Sequence, residues 1–190
     1  TTGKDALMGE IAAGSGIGRY IESLGGENAD AVFVSRNEME ALEAGAIVLF
    51  DGASVDQFVG AELTADKTLT HECHSKQNFG DHTMHIEFRT PFKPLARGQA
   101  RGNSGVYVQS RYEVQVLDSF GLEGIENECG SMYRLIRPSV NMCLPPLEWQ
   151  TYDIVFEAPR FDGDRLVRPA RVTVFHNGVL MHHARDLFGA

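Results

Sequence analysis

The strongest constraint this chain places on its own fold is a period of two. In "GVYVQSRYEVQV", Val106, Val108, Val114 and Val116 alternate with Tyr107, Gln109, Glu113 and Gln115. Successive side chains of a β-strand point to opposite faces, so the valines share one face and the polar residues the other. Burying such valines is worth about 1.5–3 kcal/mol each, which makes theirs the core face. Ser110-Arg111 is short enough to be a hairpin turn, so the two polar rows are expected to be neighbours on one sheet. "MHIEFR" repeats the pattern, with Met84, Ile86 and Phe88 against His85, Glu87 and Arg89. It is expected to add a third strand to the same polar face.

Further runs agree. "YDIVFEA" alternates in the same manner, and "RVTVFHNGVLMHH" carries Asn177-Gly178, a strong two-residue hairpin signal. "AIVLF" runs into Asp51-Gly52, read as another hairpin. The one convincing helix is "SRNEMEALEAG", where Ser35 or Asn37 caps, acidic residues fill the first turn and Gly45 stops it. Gly14, Gly16 and Gly18 are not a dinucleotide loop, because the strand and helix that must flank such a loop are missing. They are read as leading into a strand at residues 18–24, a turn at "GGEN" and a return strand at residues 31–35. The expected fold is all-β: a sandwich over residues 46–190, preceded by an appended hairpin-plus-helix element at residues 1–45. A chain of 190 residues is long enough to bury a core without disulfides or metal.

Charge and composition narrow the function. A net charge of -9 argues against nucleic acid or an anionic membrane surface as partner, since both are met with clustered Lys and Arg. No apolar run approaches the roughly 20 residues of a spanning helix, so membrane insertion is not expected. The chain opens on Thr1 and is expected to be a trimmed or processed form, so the lack of a signal peptide says little about compartment. Of three cysteines, Cys129 and Cys143 both fall in expected loops. They are either bridged or two small buried side chains. "THECHSK" offers His71, Cys73 and His74 as soft metal ligands, but the spacing fits no zinc pattern, and a surface loop is the plainer reading.

A sheet face bearing Tyr, Gln, Glu, His and Arg is either simply solvated or a binding surface. Solvated faces are usually built from Lys, Thr, Ser and Glu, whereas amide, phenol, imidazole and guanidinium groups orient a polyhydroxylated ligand. The candidate site is therefore a sugar-binding groove. Asn103, in the turn "NSG", either shapes that turn or reaches the ligand, and one of His176, His182 and His183 is expected to approach the groove. Glu128 is a candidate second carboxylate, and Trp149 either stacks on a sugar or, as favoured, plugs the core.

These motifs resemble a known family. The stretch from "VLFDG" at Val48 to "HNGV" at His176, with "GNSGVYVQ" and "YEVQVLDS" at its centre, is similar to the 3-keto-disaccharide hydrolases, once a domain of unknown function among proposed secreted glycosyl hydrolases. "ALMGE" and "ADAVF" resemble a small leader region of larger planctomycete-type members. The resemblance implies a concanavalin A-like jelly roll, an extracytoplasmic setting and an oligosaccharide or glycoside substrate. Glucanases of that fold carry three alternating carboxylates on one strand. Here "YEVQVLD" supplies Glu113 and Gln115, with Asp118 out of phase, so the two-carboxylate retaining mechanism is not supported.

The family's substrates carry a ketone at C3, which acidifies the C2 hydrogen. A base removes it, the aglycon leaves from C1 and water adds later. On that reading the catalytic candidates are His85 or Glu113 as base, Arg89 or a bound cation as stabiliser, and Glu87 as acid or orienter of His85. Asn103, Tyr107, Gln109, Gln115, Asp118 and His176 are the substrate-binding candidates. A divalent ion held by Glu and His is compatible with this chemistry, and no ligand set is singled out. The rival reading is a carbohydrate-binding module that grips sugar on the same face without turnover. A third is a structural or interaction domain, which a largely apolar concave face would favour.

Overall fold

The computed structural model describes residues 10–12, 17–24, 46–69 and 73–188 of the 190-residue chain. In chain order the strands are β1 (Glu10–Ala12), β2 (Ile17–Leu24), β3 (Ala46–Phe50), β4 (Phe58–Val59), β5 (Cys73–Ser75), β6 (His82–Phe88) and β7 (Ser104–Val108). They continue as β8 (Tyr112–Val116), β9 (Gln150–Glu157), β10 (Arg160–Asp162), β11 (Arg165–Arg168), β12 (Ala170–His176) and β13 (Val179–Leu187). One sheet has the order β4-β5-β1-β7-β8, the second β13-β12-β9-β6-β2-β3, and β10-β11 is a separate hairpin. The result is the expected all-β jelly-roll sandwich, with antiparallel pairing throughout the sites that matter here.

The valines drive the sandwich together. Val106, Val108, Val114 and Val116 of one sheet join Met84, Ile86 and Phe88 of β6, Ile154 and Phe156 of β9, and Val172 and Val174 of β12 in a single buried cluster. Tyr112 of β8 meets Phe156 of β9 across the two sheets, with ring centroids 6.3 Å apart. Tyr152 of β9 also crosses, its hydroxyl donating to the Gln115 carbonyl at 2.7 Å. The open edge of β8 is covered by residues 130–133: Gly130 N and Tyr133 N donate to the Gln115 and Glu113 carbonyls, and Gln115 N donates to the Ser131 carbonyl, each at 2.9 Å. Covering the edge this way removes a row of unpaired backbone groups from solvent.

Several local expectations change. The β7-β8 turn lies one residue earlier than read, at Gln109-Ser110, with φ of 57° and 48° and Arg111 N donating to the Val108 carbonyl at 3.2 Å. Two positive φ values give the twist that matches flanking strands, so Gln109 belongs to the turn and not to the polar row. Asp51-Gly52 makes no hairpin. β3 and β4 lie in different sheets, and the bend, held by Ala53 N donating to Asp51 Oδ1 at 2.8 Å, carries the chain from one sheet to the other. Asn177-Gly178 does close a hairpin, with φ of 51° and 76°, and Asn177 also accepts from Thr151 N at 2.9 Å. Trp149 is half-buried beneath the Arg89 guanidinium, 5.1 Å from its ring centroid, and so is not a core plug.

β1 is hydrogen-bonded between β5 and β7, and β2 between β6 and β3. The strand read at residues 18–24 is therefore present as β2, within the six-stranded sheet. The expected return strand at residues 31–35 and the helix ending at Gly45 lie outside the described residues, as does His71.

Candidate functional site

The outward face of the β7-β8 hairpin holds the polar row. Tyr107 and Glu113 are cross-strand partners, and the Tyr107 hydroxyl donates to Glu113 Oε2 at 2.7 Å. Gly105 lies beside them opposite Gln115, and a Cβ there would overlap the Glu113 carboxylate. The glycine is thus the space into which the carboxylate folds. Burial raises the pKa of Glu113, against the lowering effect of the Tyr107 hydrogen bond.

Gln115 is 0% exposed, because a loop comes down on it. Its amide is 2.8 Å from Gln99 Oε1 and 3.0 Å from Asn103 Oδ1 on one side. On the other side lie the Ser104 carbonyl at 2.7 Å and Glu113 Oε1 at 3.0 Å. With its NH2 turned to that side, Gln115 donates to both the Ser104 carbonyl and the Glu113 carboxylate. Gln99, from the short 3-10 turn Gly98–Ala100, donates in turn to the Asn127 carbonyl at 2.8 Å. Asn103 is exposed at the rim. Tyr107, Glu113, Gln115 and Asn103 therefore do come together, joined by Gln99 and Asn127, which the sequence reading missed. No spacing rule points to those two. Gly105, a glycine inside a strand pattern, was a usable signal of close approach.

The remaining candidates lie elsewhere. Asp118 is committed to Arg101, whose Nη2 and Nε donate to its Oδ2 at 2.8 and 3.1 Å. His176 is in the core, between the rings of Phe88 and Tyr152 at 5.8 and 4.8 Å, with Nε2 3.0 Å from Gln150 Oε1. Burial lowers its pKa to about 3, so it is neutral and cannot reach a groove. It faces inward because β12 buries every second residue from Ala170 to His176. His182 is buried as well, against the Gly130 carbonyl at 2.7 Å, while His183 is exposed. Glu128 Oε2 accepts from Gly124 N and Ile125 N at 2.6 and 3.0 Å, which is a loop-shaping role.

His85, Glu87 and Arg89 do not join the row. β6 is in the six-stranded sheet, and with Met84, Ile86 and Phe88 pointing inward, His85 and Glu87 look out from the opposite side of the sandwich. Two packed sheets, about 10 Å apart, separate the two rows. His85 Nδ1 is 2.5 Å from Asp153 Oδ1, its cross-strand partner on β9, and both are buried. Arg89 pairs with Asp66 and stacks on Trp149. The alternation of β6 was read correctly. What the period cannot say is which sheet a strand joins. Among the described residues no three His, Cys, Asp or Glu side chains gather as a metal site.

Comparison with known proteins fits this picture. A crystal structure of a proposed glycosyl hydrolase from Parabacteroides distasonis is 34% identical, with a TM-score of 0.69 over 75% of this chain and 66% of that one. The chain thus spans slightly less than two thirds of its solved neighbour's length. No curated protein matches it. Residues 45–190 match the family described as a 3-keto-alpha-glucoside-1,2-lyase-like domain. The chain belongs to the 3-keto-alpha-glucoside-1,2-lyase-like family.

Proposed function

We propose that the protein is a carbohydrate-active enzyme that cleaves 3-keto-glycosides, with Glu113 moving the C2 proton. The C3 ketone acidifies C2–H. Glu113 takes that proton, the C–H electron pair enters the enolate, and its return expels the aglycon oxygen from C1. The proton now on Glu113 is available to the leaving oxygen. Water then adds across the C1–C2 double bond, its hydroxyl to C1 and its hydrogen to C2.

The observation that carries this reading is the half-buried Glu113 carboxylate, held by Tyr107 over Gly105 among the amides of Gln115, Asn103 and Gln99. A raised pKa suits a carboxylate that must both accept and return a proton. The neighbouring amides suit sugar hydroxyls and the enolate oxygen. Family membership and the proposed glycosidase activity of the solved neighbour support a sugar substrate. His85, Glu87 and Arg89 have no part in this chemistry, since they face the other way.

The test is aglycon release from a 3-keto-glucoside and from its unoxidised parent, by wild type and Glu113→Gln. Release from the keto substrate alone, reduced about 10²–10⁴-fold in the variant, is the expected result. Undiminished release by Glu113→Gln would remove Glu113 from the mechanism. Sugar binding without release would make the row a grip, and the protein a binding module.

A further inference from the structure

Behind the polar row lies a pair of thiols that the proposed chemistry does not use. Cys129 ends the stretch that carries Asn127 against Gln99, and Cys143 comes from the separate stretch leading into β9. The two side chains are neighbours, close enough for each to perturb the other's ionisation. Cys143 Sγ is also 3.4 Å from the Leu117 carbonyl, and Cys129 is fixed through its backbone N, 2.9 Å from Ser119 Oγ. Both cysteines therefore pack against the same short stretch, residues 117–119, just after β8. Cys129 Sγ is 3.1 Å from the Tyr152 hydroxyl, which donates to the Gln115 carbonyl at 2.7 Å. The pair is 0% and 6% exposed.

We infer that Cys129 and Cys143 are a disulfide-forming pair, whose oxidation fastens the Asn127 stretch to the stretch before β9 directly behind Gln115. Neighbouring thiols close to an S–S bond of about 2.05 Å by turning their side chains toward one another. Each thiol gives up one hydrogen. The two protons and two electrons pass to a disulfide oxidant, either oxidised glutathione or an oxidoreductase's cysteine pair, which becomes two thiols while the S–S bond forms. Because both sulfurs are buried, the exchange takes place during folding, before the stretch closes. The neighbouring Cys129 side chain and burial push the Cys143 thiol up, so the reduced native pair exchanges slowly. The oxidising setting needed is the extracytoplasmic one that the family resemblance implies.

The test is refolding in a glutathione redox buffer, followed by alkylation, tryptic mapping and thermal melts with and without reductant. The expected result is a cross-linked pair of peptides, residues 112–134 joined to residues 135–160, and a Tm about 5–10 °C above that of the reduced protein. Cys143→Ala should melt identically in both buffers. If Cys129 and Cys143 are both alkylated after oxidative refolding, or either is found bridged to Cys73, the inference is overturned. The peptide map decides this on wild-type protein alone, whether or not the variant folds.

Discussion

His176 makes this protein acid-labile, by an amount the structure sets. It is fully buried between Phe88 and Tyr152, and burial takes its pKa from 6.5 to about 3. Below pH 6.5 the unfolded chain binds a proton at this ring and the folded chain does not. Stability is therefore unaffected above pH 6.5, and falls as pH drops from there towards 3. At about 1.4 kcal/mol per unit, the whole window is worth about 5 kcal/mol, and the step from pH 6.5 to about pH 5 costs about 2 kcal/mol. For a chain of this size that is about 4–8 °C in Tm. His176→Phe keeps the ring contacts, and Gln150 Oε1 still accepts from Leu144 N at 2.8 Å. Thermal melts of wild type and variant at about pH 7.5 and about pH 5 isolate the contribution. The variant should lose about 4–8 °C less than wild type; what slope remains belongs to His82 and His182, also lowered by burial. Equal losses in the two proteins would refute the reasoning.

Three further outcomes follow from the site. Tyr107→Phe removes a hydrogen bond that stabilises ionised Glu113, so the acid limb of kcat/KM should move up by about one pH unit, allowing for Glu113 being only half-buried; an unmoved limb would separate Glu113 from the rate. Gly105→Ala drives a methyl into the Glu113 carboxylate and should lower kcat about 100-fold with the circular dichroism spectrum retained; normal turnover would mean the carboxylate has another resting place. His85→Ala leaves Asp153 buried without its imidazole and should destabilise the fold by about 3–5 kcal/mol, while kcat measured well below Tm stays within about threefold of wild type. A loss as deep as that of Glu113→Gln would move the base to the other sheet.

What could be read from the sequence was local. The valines of β7 and β8 and the apolar set of β6 announced their buried faces, because a strand's period is fixed by its own backbone. Asn177-Gly178 announced its turn, because positive φ at two positions is a demand on those residues alone. Apart from the β7-β8 turn, read one residue late, the main errors came from non-local choices. The assignment of β6 to the sheet opposite β7 and β8 depends on pairing with β2 and β9, and no alternation records a partner. His176 was read as a substrate-binding residue near the groove, but β12 buries that face. Gln99 and Asn127 reach Gln115 from loops, whose course is set by tertiary packing and carries no period at all. The family resemblance supplied what alternation could not: the expectation of a jelly roll and of a sugar substrate.

The central claim is that Glu113 removes the C2 proton, and a 3-keto-glucoside deuterated at C2 tests it most directly. Aglycon release from the deuterated substrate should be several-fold slower than from the protiated one in wild type, and nearly absent for both in Glu113→Gln. Equal rates for the two substrates, accompanied by unimpaired release in the variant, would contradict it.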